Sequence, residues 1–264
     1  MSNIEVSIAR FLLIYLLLIL ILLVMKKCKM SQTKLLFVAS LKMTFQLVLA
    51  GLLLEYIFNI DSPIYTFAYL VVMIVFTIHR ILSKNKWLNS KFKLITVISV
   101  LVSNLFIIVF FISVVAGQDL GNPQYMIPIG GMVLGNTMTA MILGLNAFRE
   151  TLDGQRYKIN ALICAGASSK NILLPCVRQA LETATLPTLN SMLGMGIVHL
   201  PGMMTGQILA GAVPITAIMY QIAIMIAICA ANILACFIAL YFGYQTIVDH
   251  DTQIIRFDMI EMDK

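Results

Sequence analysis

The chain has 264 residues, 60% hydrophobic and 11% charged, with a formal net charge of +6 and a mean hydropathy of +0.95. Soluble domains run at roughly 45–50% apolar and about 25% charged residues, so this composition marks an integral membrane protein and leaves little chain for a soluble domain. The positive charge is not a nucleic-acid footprint, because the basic residues fall in short stretches between apolar runs, where they set topology.

Residues 4–25 include FLLIYLLLILILLVM and form the first predicted span. The run meets Lys26, Lys27 and Lys29 with no small-residue cleavage site, so it reads as retained rather than removed. Residues 35–57 form the second span, with Lys42 and Gln46 near one end and Glu55 near the other. Residues 63–82 form the third, opened by Pro63, and residues 94–116 the fourth. Residues 125–148 form a glycine-rich fifth, 185–214 the sixth and 215–244 the seventh. Each has about the 20 residues a crossing helix needs, or somewhat more.

The loops alternate in charge. Lys26, Lys27, Lys29 and Lys34 follow the first span, and Arg80, Lys84, Lys86, Lys91 and Lys93 the third. Arg149, Arg156, Lys158, Lys170 and Arg178 follow the fifth, and Arg256 and Lys264 the seventh. Connections 58–62, 117–124 and 211–214 hold neither Lys nor Arg. The positive-inside rule then predicts an all-α polytopic bundle of about seven transmembrane helices, N-terminus outside and C-terminus cytoplasmic. Arg10, near the outer end of the first span, is outvoted by the four lysines after it. The whole of 1–264 reads as one transmembrane domain in a cell membrane. The five cysteines form no CxxC pair and no extracellular set, so neither a disulfide framework nor a zinc site is expected.

The sixth span is unusual. It has no Lys, Arg, Asp or Glu, yet carries three prolines, five glycines, Asn190, His199, Thr205 and Gln207. Breakers and polar groups at membrane depth persist only where protein or a water-filled cavity satisfies the backbone. The span is therefore expected inside the bundle, broken near Pro201 and Gly202, and broken helices build midplane transport sites. The alternative is a kinked, packed helix with no ligand. Met192, Met195, His199, Met203 and Gln207 are spaced 3, 4, 4 and 4 and would form one stripe on a continuous helix. Thioether and imidazole groups suit softer metals, so His199, Met195 and Met203 are candidate ligands. The other reading is interface packing, which the 17 methionines of the chain favour. With Pro201, Gly202, Met204, Thr205 and Gly206, these residues are the candidate translocation path. Gly131-x-x-x-Gly135, with Ala140 and Gly144 further on, and Gly202-x-x-x-Gly206 point to close packing of the fifth and sixth spans. Asn232 in the seventh is expected to bond across helices.

The inner segment 149–184 is the longest loop. It reads as a helix, a turn at Gly166-Ala167-Ser168-Ser169, and a second helix capped by a serine hydroxyl at 168 or 169. A structure of this kind under a bundle suits docking of a partner; the alternative is a loop that merely packs on the inner face.

Asn160, Ala161 and Leu162, then Gly166 and Ala167, then Ile172, Leu174 and Pro175 follow an order that resembles the coupling motif of ABC-transporter permeases. Asn160 stands where importers carry glutamate, and the gap from Gly166 to Leu174-Pro175 is shorter than theirs. Ala165-Gly166-Ala167-Ser168, Leu186-Pro187-Thr188 and, above all, LPGMMTGQILAG from Leu200 to Gly211 resemble the FetB (YbbM-type) iron-export permeases and their plant aluminium-tolerance relatives. The resemblance implies a permease subunit that exports metal ions, iron in the first instance. It implies an ABC ATPase partner docked on Asn160, Ala161, Gly166, Ala167, Ser168 and Pro175, a permease homodimer, and surrounding lipid. It implies no enzyme activity and no cofactor on this chain, with ATP bound by the partner. The absence of a G-x-x-x-x-G-K-[ST] phosphate loop agrees. The rival readings are an ATPase-independent secondary transporter or channel, and an intramembrane enzyme. H-E-x-x-H is absent, and dependence on an ATPase separates the first reading from the rest.

Overall fold

The computed structural model describes residues 13–60, 62–198 and 200–248, and among them every regular element is a helix. In chain order these are α1 (Ile14–Lys27), α2 (Thr33–Ile60), α3 (Pro63–Lys84), α4 (Ser90–Phe110), α5 (Pro123–Gly154), α6 (Arg156–Cys164), α7 (Ser169–Gly194), α8 (Gly202–Leu209) and α9 (Pro214–Gly243). A wider turn, Phe111–Val115, prolongs α4, and a tight one, Tyr244–Thr246, prolongs α9. Five of these are long and apolar enough to cross a membrane: α2, α3, α4 to Val115, α5, and α9 to Thr246. With the polar turns between them, these make a multi-pass membrane protein.

The chain divides into two compact units, residues 1–60 and 61–264. In the first, α1 buries no residue and α2 only Ile57. Side chains that are apolar on every face suit lipid, not a water-facing surface. Tyr15 and Thr44 join the two helices through a hydroxyl pair at 2.7 Å. Lys29, at φ 52°, ends α1: its N–H reaches the Lys26 carbonyl and that of Met30 reaches Met25, the paired bonds of a Schellman cap. Only the part of the first predicted span from residue 13 onward lies within the described residues.

In the second unit α5 packs most extensively on α7, and α9 on α4, with α3 against α5. At the end carrying the basic turns, Trp87, Phe92 and Phe148 form an aromatic cluster with ring centroids 5.9–6.5 Å apart. Asn89 caps α4 by accepting from Phe92 N–H at 2.6 Å, while its Nδ2 donates to the Thr246 carbonyl at 3.0 Å. One side chain thus clasps the start of α4 to the end of α9. The Phe92 ring lies directly against Gly243, filling the space where a Cβ would stand. A second apolar cluster, around Leu70, Ile108, Phe111, Val133 and Ile224, fills the opposite end.

Close helix approach is real, and on the fifth predicted span it falls at Ala140 and Gly144, not at the spaced glycine pairs. A Cβ on Gly144 of α5 would stand 3.0 Å from Ala184 Cβ of α7 and 3.8 Å from Cys236 Sγ of α9. The seam is thus Ala140/Gly144 against Ala180/Ala184, small residues four apart on both helices. Nothing lies within 4 Å of a Cβ built on Gly135, Gly202 or Gly206, so those motif positions make no such contact within the chain.

The sixth predicted span, 185–214, does not exist as one helix. α7 begins sixteen positions earlier, at Ser169, and stops at Gly194. Gly196 follows at φ +83°, a conformation that ends a helix and that glycine adopts without strain. Pro201 then occupies the N-cap of the eight-residue α8, where its missing N–H costs nothing. The break near Pro201 and Gly202 is thus present, but as a seven-residue gap, not a kink.

Candidate functional site

The segment 149–184 is a helical elbow. α5 has 32 residues, roughly 48 Å at about 1.5 Å per residue, and so outruns about 30 Å of bilayer hydrocarbon. Its last turns reach Gly154 before the chain reverses into α6. Ile159 and Ile163 pin α6 into the aromatic-end core, while Tyr157, Asn160, Ala161 and Leu162 face outward, Tyr157 being 93% exposed. Gly166, at φ +80°, closes α6: its N–H bonds to Ile163 O and that of Ala167 to Leu162 O, a second Schellman cap. Ser168 has the extended backbone of an N-cap, but its hydroxyl makes no capping bond, contrary to expectation. Among the candidate docking residues, Asn160, Ala161, Gly166, Ser168 and Pro175 are exposed and Ala167 is half-buried. Ile172, Leu173, Cys176 and Val177 on the other face of α7 are buried. The described cysteines are free, two of them buried.

Above the elbow, α5, α7 and α9 are tied by a buried polar chain. Thr137 donates to Asn232 Oδ1 at 3.1 Å, and Asn232 Nδ2 donates to Thr188 Oγ1 at 2.9 Å. Asn232 therefore bonds across two helix interfaces at once, as its place in an apolar span suggested. Beside this chain lies a half-open cleft of about 80 Å³. Asn136 and Thr139 of α5, Pro187, Thr188 and Ser191 of α7, and Met225 of α9 line it. One turn from Met225, the amide of Gln221 approaches Met195 Sδ at 3.8 Å, and its Oε1 is buried without a partner.

The predicted methionine stripe is not a helix face. Met192 lies in the last turn of α7, Met195 is extended beyond its end, and Met203 and Gln207 ride on α8, a separate helix. The 3-4-4-4 spacing loses its meaning once Gly196 turns the chain. His199 lies outside the described residues. Pro201, Met203, Met204, Thr205 and Gln207 are half-exposed, Gly202 and Gly206 exposed, and α8 packs on α9. Gly211, at φ +96°, returns the chain toward Pro214. Met195 and Met203, two of the candidate metal ligands, thus share no helix. Among the described residues, no group of three or more His, Cys, Asp or Glu side chains comes together.

The cleft residues Asn136, Thr139, Thr188 and Ser191 were missed from sequence. The available signal was Asn136-Thr137-x-Thr139, a polar patch in an otherwise apolar span, matched by Asn232 in another.

Residues 8–248 match the family described as "Uncharacterised protein family (UPF0014)". Among similar proteins, the UPF0014 membrane protein YjkA of Bacillus subtilis is 28% identical over 84% of this chain and 88% of its own. The "Probable iron export permease protein FetB" of Escherichia coli is 30% identical over 80% of each chain. The Arabidopsis thaliana "Protein ALUMINUM SENSITIVE 3" is 38% identical over 39% of this chain and 38% of its own. No solved structure matches the chain.

Proposed function

This chain belongs to the UPF0014 family, and on that premise we propose that it is the permease subunit of an ABC transporter, exporting metal ions with ATP hydrolysed by a separate subunit. The observation that carries the reading is the 30% identity, over 80% of both chains, to a protein named a probable iron export permease. The α6–α7 elbow supports it, because it offers an exposed edge of Tyr157, Asn160 and Ala161 held by buried Ile159 on a bundle of membrane-length helices. The chain itself catalyses nothing in this reading and binds no cofactor.

The topology follows the loop charges. α1, α2, α3, α4, α5, α7 and α9 supply seven crossings, the N-terminus lies outside and the elbow faces the cytoplasm. The sixth crossing runs from the end of α7, beyond Lys170, Arg178 and Glu182, through the gap to α8 at the outer side. Two copies pair in the membrane. The candidate path runs through the gap after α7 and the residues from Met203 to Gln207.

The test exploits the exposure of the elbow. Asn160→Arg and Ala161→Arg alter α6 where neither side chain is buried, so the fold survives. An ATP-hydrolysing subunit that co-purifies with the unaltered chain in mild detergent, and is lost from both variants, supports the reading. Absence of any ATPase from the unaltered chain contradicts it and favours a channel or secondary carrier.

A further inference from the structure

The cleft between α5, α7 and α9 has a chemical bias that its residue names do not reveal. Asn136 Nδ2 donates to the Met132 carbonyl at 2.8 Å. The Thr139 hydroxyl donates to the Gly135 carbonyl at 3.2 Å, and that of Ser191 to the Pro187 carbonyl at 3.0 Å. Thr188 Oγ1 accepts from Asn232 Nδ2. A carbonyl oxygen only accepts, so these bonds dictate where the protons lie and which way the Asn136 amide points. Thr139 and Ser191 spend their one hydroxyl proton on their own helices, and Asn136 spends one of its two amide protons. What remains for the cleft is mainly lone pairs, those of Asn136 Oδ1 and of the Thr139 and Ser191 oxygens, with one Asn136 N–H and the Met225 thioether beside them.

Among the described residues no Lys, Arg or His lines the cleft, so no cationic side chain there draws an anion. Asn136 is 13 positions into α5, roughly 20 Å along it, and both it and Thr139 are exposed. Exposed polar groups at that depth line protein or water, not lipid. The cleft of about 80 Å³ is roomy enough to hold water, which fits a small ion with part of its hydration shell.

The geometry points to a cation site of neutral oxygens at Asn136, Thr139, Thr188 and Ser191, with the Met225 thioether at its edge and without Met195 or Met203. It rests on the permease reading for its role in transport and gives that reading a substrate class: a hard or borderline divalent cation, which oxygen ligands suit. Neutral ligands hold such an ion weakly, and a passing ion has to leave again.

The test uses the full chain in lipid nanodiscs and manganous ion alone as the probe, with the free ion followed by its electron paramagnetic resonance signal. Asn136→Leu is expected to weaken binding about tenfold or more, and Asn136→Asp to tighten it by a similar factor, since affinity follows ligand charge. A gain in affinity cannot come from a misfolded chain. Met195→Leu and Met203→Leu leave binding unchanged. Failure of the unaltered chain to bind manganous ion, indifference to both Asn136 variants, or loss in the methionine variants overturns the site. Iron transport with the ATPase partner is scored separately. Iron moved equally by the unaltered chain and by Asn136→Leu overturns the site and leaves the permease reading standing. Manganous ion held at the cleft by a chain that moves no iron supports the site and overturns the permease reading.

Discussion

Over its first 20 of 26 residues α7 buries Ser169, Ile172, Leu173, Cys176, Val177, Ala180, Ala184 and Thr188; beyond Thr188 it buries nothing, and α8 after it buries no residue at all. The anchored part meets the aromatic core and the Ala140/Gly144 seam. The loose part ends in a gap, and open space surrounds Gly202 and Gly206. The two regions are ends of one helix. In the proposed reading, a partner's push on the elbow would travel along a packed rod to a segment that few buried contacts restrain, and such segments open most easily. The cleft sits at the junction of the two regimes, where Thr188, the last buried residue of α7, meets Asn232.

Substitutions test that contrast from its firmest point outward. The largest loss is expected at Gly243, where a side chain collides with the Phe92 ring. Overpacking costs typically about 1–3 kcal/mol, and Gly243→Val belongs at or above the top of that range, read as a lower midpoint in thermal unfolding of the detergent-solubilised chain. Asn232→Leu comes next. It leaves the Thr137 and Thr188 hydroxyls unmatched, a loss of about 1–2 kcal/mol. Gly166→Ala places a Cβ at φ +80° with nothing crowding it, a strain of about 1 kcal/mol, with a larger effect on recovery of the ATPase than on the melting point. Gly206→Ala and Met203→Leu in α8 are expected within about 0.5 kcal/mol of the unaltered chain. A large loss in α8, or none at Gly243, erases the contrast between the two regions.

How legible all this was in the sequence follows the same division. Apolar runs and their basic punctuation marked α2, α3, α4, α5 and α9 to within several residues, because a crossing helix in lipid needs length and little else. Gly166 was recognisable as a turn because only a helix end explains a glycine between two helical patterns. The extent of α7 was not legible. Pro175 and Pro187 argue against a helix interior, yet both stand on exposed faces where the freed carbonyls meet no buried demand. Nor was the end at Gly194, since Met195 to Leu200 is as apolar as the helix before it, and the turn depends on the φ of one glycine. The cleft escaped because its bias lies in where protons point, which no spacing encodes.

The most direct measurement is iron accumulation in inside-out membrane vesicles holding the full chain and its ATPase, with ATP outside. The account predicts uptake that needs ATP and falls to background in Ala161→Arg, whose altered side chain is exposed on α6. Uptake that proceeds without ATP, or that is indifferent to the elbow, would contradict it.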